Sequence, residues 1–177
     1  MQLRLRYVLQ DWGANRSNPK AQLVLVCFRT AQLLRGPRER PAPILARPYL
    51  VVYRVAIEWI LGIELPWNTT VGHGLRILHG QGLVVNNGAV IGSNCTMRQG
   101  VTIGDKTIGS GRWSDSPRLD DNVDVGAHAQ IIGPIRLGAN SVIGAGAVVV
   151  SDVPSGAAVA GNPARVLPSV RKPGRVD

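Results

Sequence analysis

The groups in this 177-residue chain best suited to acid–base or nucleophilic chemistry are three histidines, two cysteines and eleven carboxylates. His79 stands in the stretch GLRILHGQG, residues 74–82, and Glu64 lies fifteen residues before it. A carboxylate bonded to one imidazole nitrogen fixes the tautomer and leaves the other nitrogen as a base. Residue type alone leaves a second reading open for each: a solvated turn histidine, and a solvated charge that follows a helix. Cys27 sits in an apolar run and Cys95 on an inward repeat position. Both read as small buried hydrophobes, so neither a disulfide framework nor a thiol nucleophile is expected. No nucleophile elbow, P-loop or dinucleotide fingerprint appears. What remains is a single base beside a site for an anionic donor.

The elements that must position these groups show in the spacing of aliphatic residues. From Val71 they recur every six positions: Val71, Ile77, Leu83, then, after a two-residue slip, Val85, Ile91, Met97 and Ile103. The series returns as Leu119, Val125, Ile131, Leu137, Ile143 and Val149. A second series of small or branched residues lies four positions after each: Ala89, Cys95, Val101, Thr107, Val123, Ala129, Ile135, Ser141, Ala147 and Val153. Glycine often follows the first position, as at Gly92, Gly104, Gly126, Gly138 and Gly144, where it is expected to supply unusual corner dihedrals. Helices repeat at 3.6 and ordinary strands at 2. Period six predicts a parallel β-helix of hexapeptide repeats, three hexads to a triangular coil. Stacked coils are about 4.8 Å apart, so Glu64, just under one coil before His79, is expected one coil below it. The stretch between Ile108 and Leu119 cannot keep register and must leave as a loop, 109–118, of the kind that often carries function.

Before the repeats, residues 17–36 read as a helix capped by Asn18, begun by Pro19 and ended at Gly36. Residues 37–43 form a proline-rich connector, and 47–62 read as a second helix on which Arg54 and Glu58 can pair. That segment is too short and too charged to span a membrane. The boundaries follow: 1–62 helical, 63–167 β-helix, 168–177 a basic tail. The net charge of +9 suits a phosphate-bearing ligand, because no basic-plus-aromatic surface for nucleic acid accompanies it. The N-terminus lacks a secretory signal. A cytoplasmic protein is expected, with peripheral contact at the inner membrane face as a further reading.

The stretches GIELPWNTTVGHGLRILHGQGLVV, NCTMRQGVTIG and IGAGAVVVSDVPSGAAVAGNPARV, with the interrupting loop, resemble the hexapeptide-repeat O-acetyltransferases over residues 49–167. The chain is similar to serine acetyltransferases and more so to the colanic acid and exopolysaccharide acetyltransferases. The resemblance implies a mainly β fold, a left-handed parallel β-helix after a short α-helical segment. It also implies a homotrimer that binds acetyl-CoA between subunits. It places the catalytic histidine on His79 and its acidic partner on Glu64. Ala127 and Ala145 match positions whose backbone meets the pantetheine arm. Arg165 matches a basic residue near the cofactor phosphates, and the tail 171–175 adds to that charge. Serine acetyltransferases carry an acidic residue where this chain has Leu78, and Arg-His in the loop where it has Asp115 and Ser116. A zwitterionic acceptor buried without those counter-charges costs several kcal/mol. The expected acceptor is therefore a neutral hydroxyl of a sugar or glycan precursor, with serine acetylation and a non-catalytic scaffold as the alternatives. His73, His79 and His128 do not match the ligand spacing of the left-handed-helix carbonic anhydrases, two of whose ligands lie five residues apart. No metal is expected.

Overall fold

The computed structural model describes residues 2–36 and 42–168. Most of the connector 37–43 and the tail 171–175 lie outside the described residues. Helix α1 (Gln2–Val8), α2 (Pro19–Arg35) and α3 (Arg47–Tyr53) precede a π-helical turn, Arg54–Ile60. The Asn18 side chain accepts from the Ala21 amide, Pro19 opens α2, and Gly36 closes it with φ 70°. The second helix departs from the expected α-helix: it widens to i→i+5 bonding after Tyr53, although Arg54 and Glu58 still pair at 3.4 Å. No helix among the described residues is long and apolar enough to cross a membrane.

The repeats form a parallel β-helix with three faces. Ile63–Glu64, Leu83–Val85, Thr102–Gly104, Gln130–Ile132 and Val148–Val149 stack as the first. Thr70–Val71, Val90–Ile91, Arg118–Leu119 and Arg136–Leu137 make the second. Arg76–Leu78, Thr96–Arg98, Asp124–Val125, Val142–Ile143 and Ala158–Ala160 make the third, and Arg165–Val166 closes it antiparallel. Both aliphatic series point inward: Ile77, Met97, Val125 and Ile143, and likewise Leu75, Cys95, Val123 and Ser141, are at most 1% exposed.

Three details of the expected repeat change. Leu83 is the inward companion of Val85, so the two-residue slip falls before it, within the turn that carries His79. Ile63 pairs with Leu83, a step of twenty residues, while Val84 pairs with Thr102, a step of eighteen. Second, the coil departs before Thr107, which is exposed and not in the core. Thr107–Ile108 pairs antiparallel with Arg112–Trp113, and Val90 aligns with Arg118, a step of twenty-eight. The excursion therefore adds ten residues to the ordinary eighteen. Third, Gly92, Gly126 and Gly138 do not have positive φ. Their reason is close approach: a Cβ there would come within 2.5–2.6 Å of the next coil, mostly of its backbone. The left-handed residue lies two positions later, as at Asn94, His128 and Asn140.

The first coil exposes an unpaired lower edge, which a β protein must cover. The N-terminal segment covers it with side chains in place of a strand. Asp11 Oδ1 accepts from the Leu75 amide at 2.9 Å, and Asn15 Oδ1 accepts from the Ile77 amide at 3.0 Å. Asn15 Nδ2 donates to Leu75 O and Asn18 Nδ2 to Ile77 O. Arg29 donates to Val71 O at 2.9 Å and Gly72 O at 2.6 Å. Arg29 and Asp11, each 1% exposed, pair at 2.8 Å. Removing one partner of such a pair costs about 3–5 kcal/mol, because the other charge stays buried alone.

Candidate active site

His79 lies at the corner between the third and first faces. Strand Arg76–Leu78 ends there, and the chain needs four residues, 79–82, to reach Leu83. Three of them are left-handed: His79 at φ 67°, Gly80 at 73° and Gly82 at 71°. Gly80 folds over the core, where a Cβ would lie 2.8 Å from Ile77 Cγ2 and 3.1 Å from Ile63 Cδ1. A side chain at Gly80 would lift the turn, so the Gly80 and Gly82 that flank Gln81 fix where the imidazole sits. Asn18, bonded to Ile77 O, braces the strand just before the turn.

Above this turn the corner repeats in register. The Gly100 amide donates to Gln81 O, the His128 amide to Gln99 O, and the Gly146 amide to Ala127 O. Gln81, Gln99, Ala127 and Ala145 therefore form one column, about 14 Å long over three coil steps. The amides of Ala127 and Ala145 have no partner among the described residues. The segment after Ala160 caps the column: Val148 donates to Gly161 O and the Ala164 amide to Val148 O. Arg165 follows, exposed, with Nη1 on Ala164 O. A cleft of about 970 Å³ opens at the foot of the column, lined by Ser17, Asn18, Lys20, Leu78, His79, Gln81, Gln99 and His128. Its lining holds a lysine and no carboxylate, so it suits an anion or a neutral group.

The structure thus brings His79 and Leu78 to one corner with Ala127, Ala145 and Arg165. It does not bring Glu64 onto His79. Among the described residues no hydrogen bond joins the two. The expected position one coil below fails because this coil has twenty residues: Glu64 aligns with Val84, five residues past His79. Glu64 instead lines a separate cavity of about 410 Å³ with Arg54, Glu58, Trp67, Asn86 and Asn87. Burial there raises the Glu58 carboxyl pKa, Arg54 opposes the rise, and the Glu64 charge adds to it. Ser116 hydrogen-bonds Asp105 and, at 3.2 Å, Asn86, which pins the loop's return to the corner between the first and second faces. Asp115 is exposed beside it. Cys95 is fully buried, and burial pushes its thiol up to about 11, far from a thiolate nucleophile at neutral pH. No group of His, Cys, Asp and Glu among the described residues has the arrangement of a metal site.

Sequence reasoning misses Gln81, Gln99 and Lys20, all of which line the cleft. The signal for the two glutamines was present: they lie eighteen apart, and Ala127 follows Gln99 by eighteen plus the ten residues of the loop. Lys20 reaches the cleft only because α2 packs under the first coil, which periodicity does not reveal.

Comparison with known proteins agrees with this architecture. A family profile for the hexapeptide repeat of succinyl-transferase matches residues 82–109 and 118–151. A serine acetyltransferase of Synechococcus elongatus is 39% identical over 145 residues, 81% of this chain but only 55% of that protein. The Escherichia coli K12 protein assigned as colanic acid biosynthesis acetyltransferase WcaB is 35% identical over 164 residues, covering 90% of this chain and 98% of that one. Soybean serine acetyltransferase superposes with a TM-score of 0.77 at 30% identity, over 93% of this chain and 69% of that one. A serine acetyltransferase complexed with CoA superposes with a TM-score of 0.72 at 28% identity, again over 93% and 69%. The chain belongs to the hexapeptide-repeat acetyltransferases, the family of these serine acetyltransferases and of the protein assigned as WcaB.

Proposed function

We propose that the chain transfers an acetyl group from acetyl-CoA to a hydroxyl of a sugar or glycan precursor, with His79 as general base. The supporting observation is the foot of the corner column: an imidazole in an open cleft, below free backbone amides and Arg165. His79 takes the acceptor hydroxyl's proton as that oxygen attacks the thioester carbonyl. The C–O bond forms, a backbone N–H at the corner stabilises the oxyanion, and the C–S bond breaks. His79 then returns the proton to the CoA thiolate. Transfer is direct, within a ternary complex, since neither cysteine lines the His79 cleft to carry the acetyl group. Glu64 adjoins Ile63, whose side chain underlies Gly80. In this reading Glu64 is the acidic partner that fixes the His79 tautomer, a role that requires its carboxylate to leave the Arg54–Glu58 cavity. Three chains assemble as a trimer, with the donor bound between subunits.

The acceptor class rests on the cleft lining. Leu78 stands at the base's side, and among the described residues no carboxylate lines the cleft to pair an ammonium group. Similarity to serine acetyltransferases favours serine as the second reading, and one assay separates them. CoA release from acetyl-CoA, measured with nucleotide sugars or oligosaccharides and with L-serine, is expected with the saccharides only. Faster turnover with serine would overturn the acceptor assignment. A Glu64→Gln chain with unchanged turnover would remove Glu64 from the mechanism.

A further inference from the structure

His79 is the centre of a tight turn. Leu78 O accepts from the Gly80 amide at 2.8 Å, and His79 between them has φ 67°. An i→i+2 bond closed around a positive φ is the rare, strained form of the γ-turn. His128 has a similar φ, but there the bond spans one residue more, from the Ala129 amide to Gly126 O at 3.3 Å. Backbone strain of this kind persists only where the surroundings over-determine it. The His79 backbone makes no hydrogen bond of its own among the described residues. Its place is therefore set by what holds the residues on either side.

After the turn, the Leu83 amide donates to Gly80 O at 3.0 Å and the Gly82 amide to Gly62 O at 2.7 Å. Before it, strand Arg76–Leu78 pairs with Thr96–Arg98 above and with no strand below. The side-chain ladder of Asp11, Asn15 and Asn18 replaces the missing strand. Its last rung before His79 is Asn18 Nδ2 on Ile77 O, at 3.0 Å. Asn18 also lines the cleft with His79.

Asn18 divides two duties between two atoms. Its Oδ1 accepts from the Ala21 amide at 3.1 Å and caps α2, while its Nδ2 holds the strand. A cap needs only an acceptor, which serine or aspartate supplies as well. Among the favoured cap residues only asparagine carries an N–H donor beside that oxygen.

We infer that Asn18 is a positioning residue for His79: its Nδ2 bond to Ile77 O holds the strained turn that presents the imidazole to the cleft. The helical segment is then part of the transfer site as well as a cover for the coil. This rests on the proposed role of His79 as base and adds to it the group that fixes its place.

The test separates the two atoms. Asn18→Ser keeps a capping oxygen and removes the N–H donor; Asn18→Ala removes both. Turnover is expected to follow the donor, and melting the cap. Measured by CoA release with the best acceptor of the saccharide and serine panel, kcat should fall about 10-fold in both variants. The KM for acetyl-CoA should stay within about twofold. Tm should fall further in Asn18→Ala than in Asn18→Ser. Imidazole NMR signals give a readout that needs no turnover. The His79 signal, assigned by its loss in His79→Asn, should shift or broaden in Asn18→Ser, while those of His73 and His128 stay in place. A parent-like kcat in Asn18→Ser overturns the inference, as does an unmoved His79 signal. So does a kcat that falls only in step with Tm, further in Asn18→Ala than in Asn18→Ser, since Asn18 would then be structural. Undiminished turnover in His79→Asn refutes the proposed base itself, and the NMR comparison still decides whether Asn18 holds the turn.

Discussion

Two corners of the coil share one backbone geometry and differ in what they carry. Between the second and third faces the left-handed position is filled in successive coils by Gly74, Asn94, Asn122, Asn140 and Gly156. Between the third and first faces it is filled by Gly82, Gly100, His128 and Gly146. The asparagine corner uses the residue that adopts this conformation at low cost. The other corner uses glycine or histidine, and in its first turn it inserts two further residues, one of them His79. His128 has φ 59°, as Asn122 does, so a left-handed histidine is not in itself a mark of function. What distinguishes His79 is the extra length of its turn, the glycines that seat it, and the open cleft beside it.

Converting one corner into the other has the largest expected effect. His79→Asn keeps a residue suited to φ 67° but removes the base, and acetyl transfer should fall about 10²–10⁴-fold with Tm unchanged. Steady-state CoA release and a thermal melt check both halves; near-normal turnover would leave the two corners equivalent. A smaller effect is expected from Gly100→Ala. Its Cβ would lie 2.2 Å from His128 Nδ1 at a φ of 66°. The loss should be about 1–3 kcal/mol in a denaturant titration. The smallest comes from Asn122→His, which repeats at the asparagine corner what His128 does at the other. Stability should stay within about 0.5 kcal/mol, with turnover unaffected.

The sequence carried the period, and with it the inward residues from Ile77 to Val153 apart from Thr107, because a narrow coil admits only aliphatic and small side chains. It carried the caps of α2, because Asn18, Pro19 and Gly36 act locally. It did not carry the position of Glu64, expected one coil below His79. That expectation assumed an eighteen-residue coil, and the two residues added at the His79 turn shift everything below it. Nor did it carry the role of Asp11, Asn15 and Arg29. Their bonds to Val71, Gly72, Leu75 and Ile77 bridge some forty to sixty residues of chain and follow no period. The corner glycines Gly92, Gly126 and Gly138 are needed for a different reason from the one the sequence suggests: they admit the neighbouring coil, and the unusual dihedral falls two residues later.

In the proposed function, acetyl transfer takes place at the foot of the column formed by Gln81, Gln99, Ala127 and Ala145. A crystal structure with CoA bound tests it most directly. The thiol is expected beside His79 and the pantetheine arm along the column that ends in Ala127 and Ala145, with the phosphates toward Arg165. CoA seated in the cavity of Arg54, Glu58 and Glu64, with the His79 cleft empty, would contradict it.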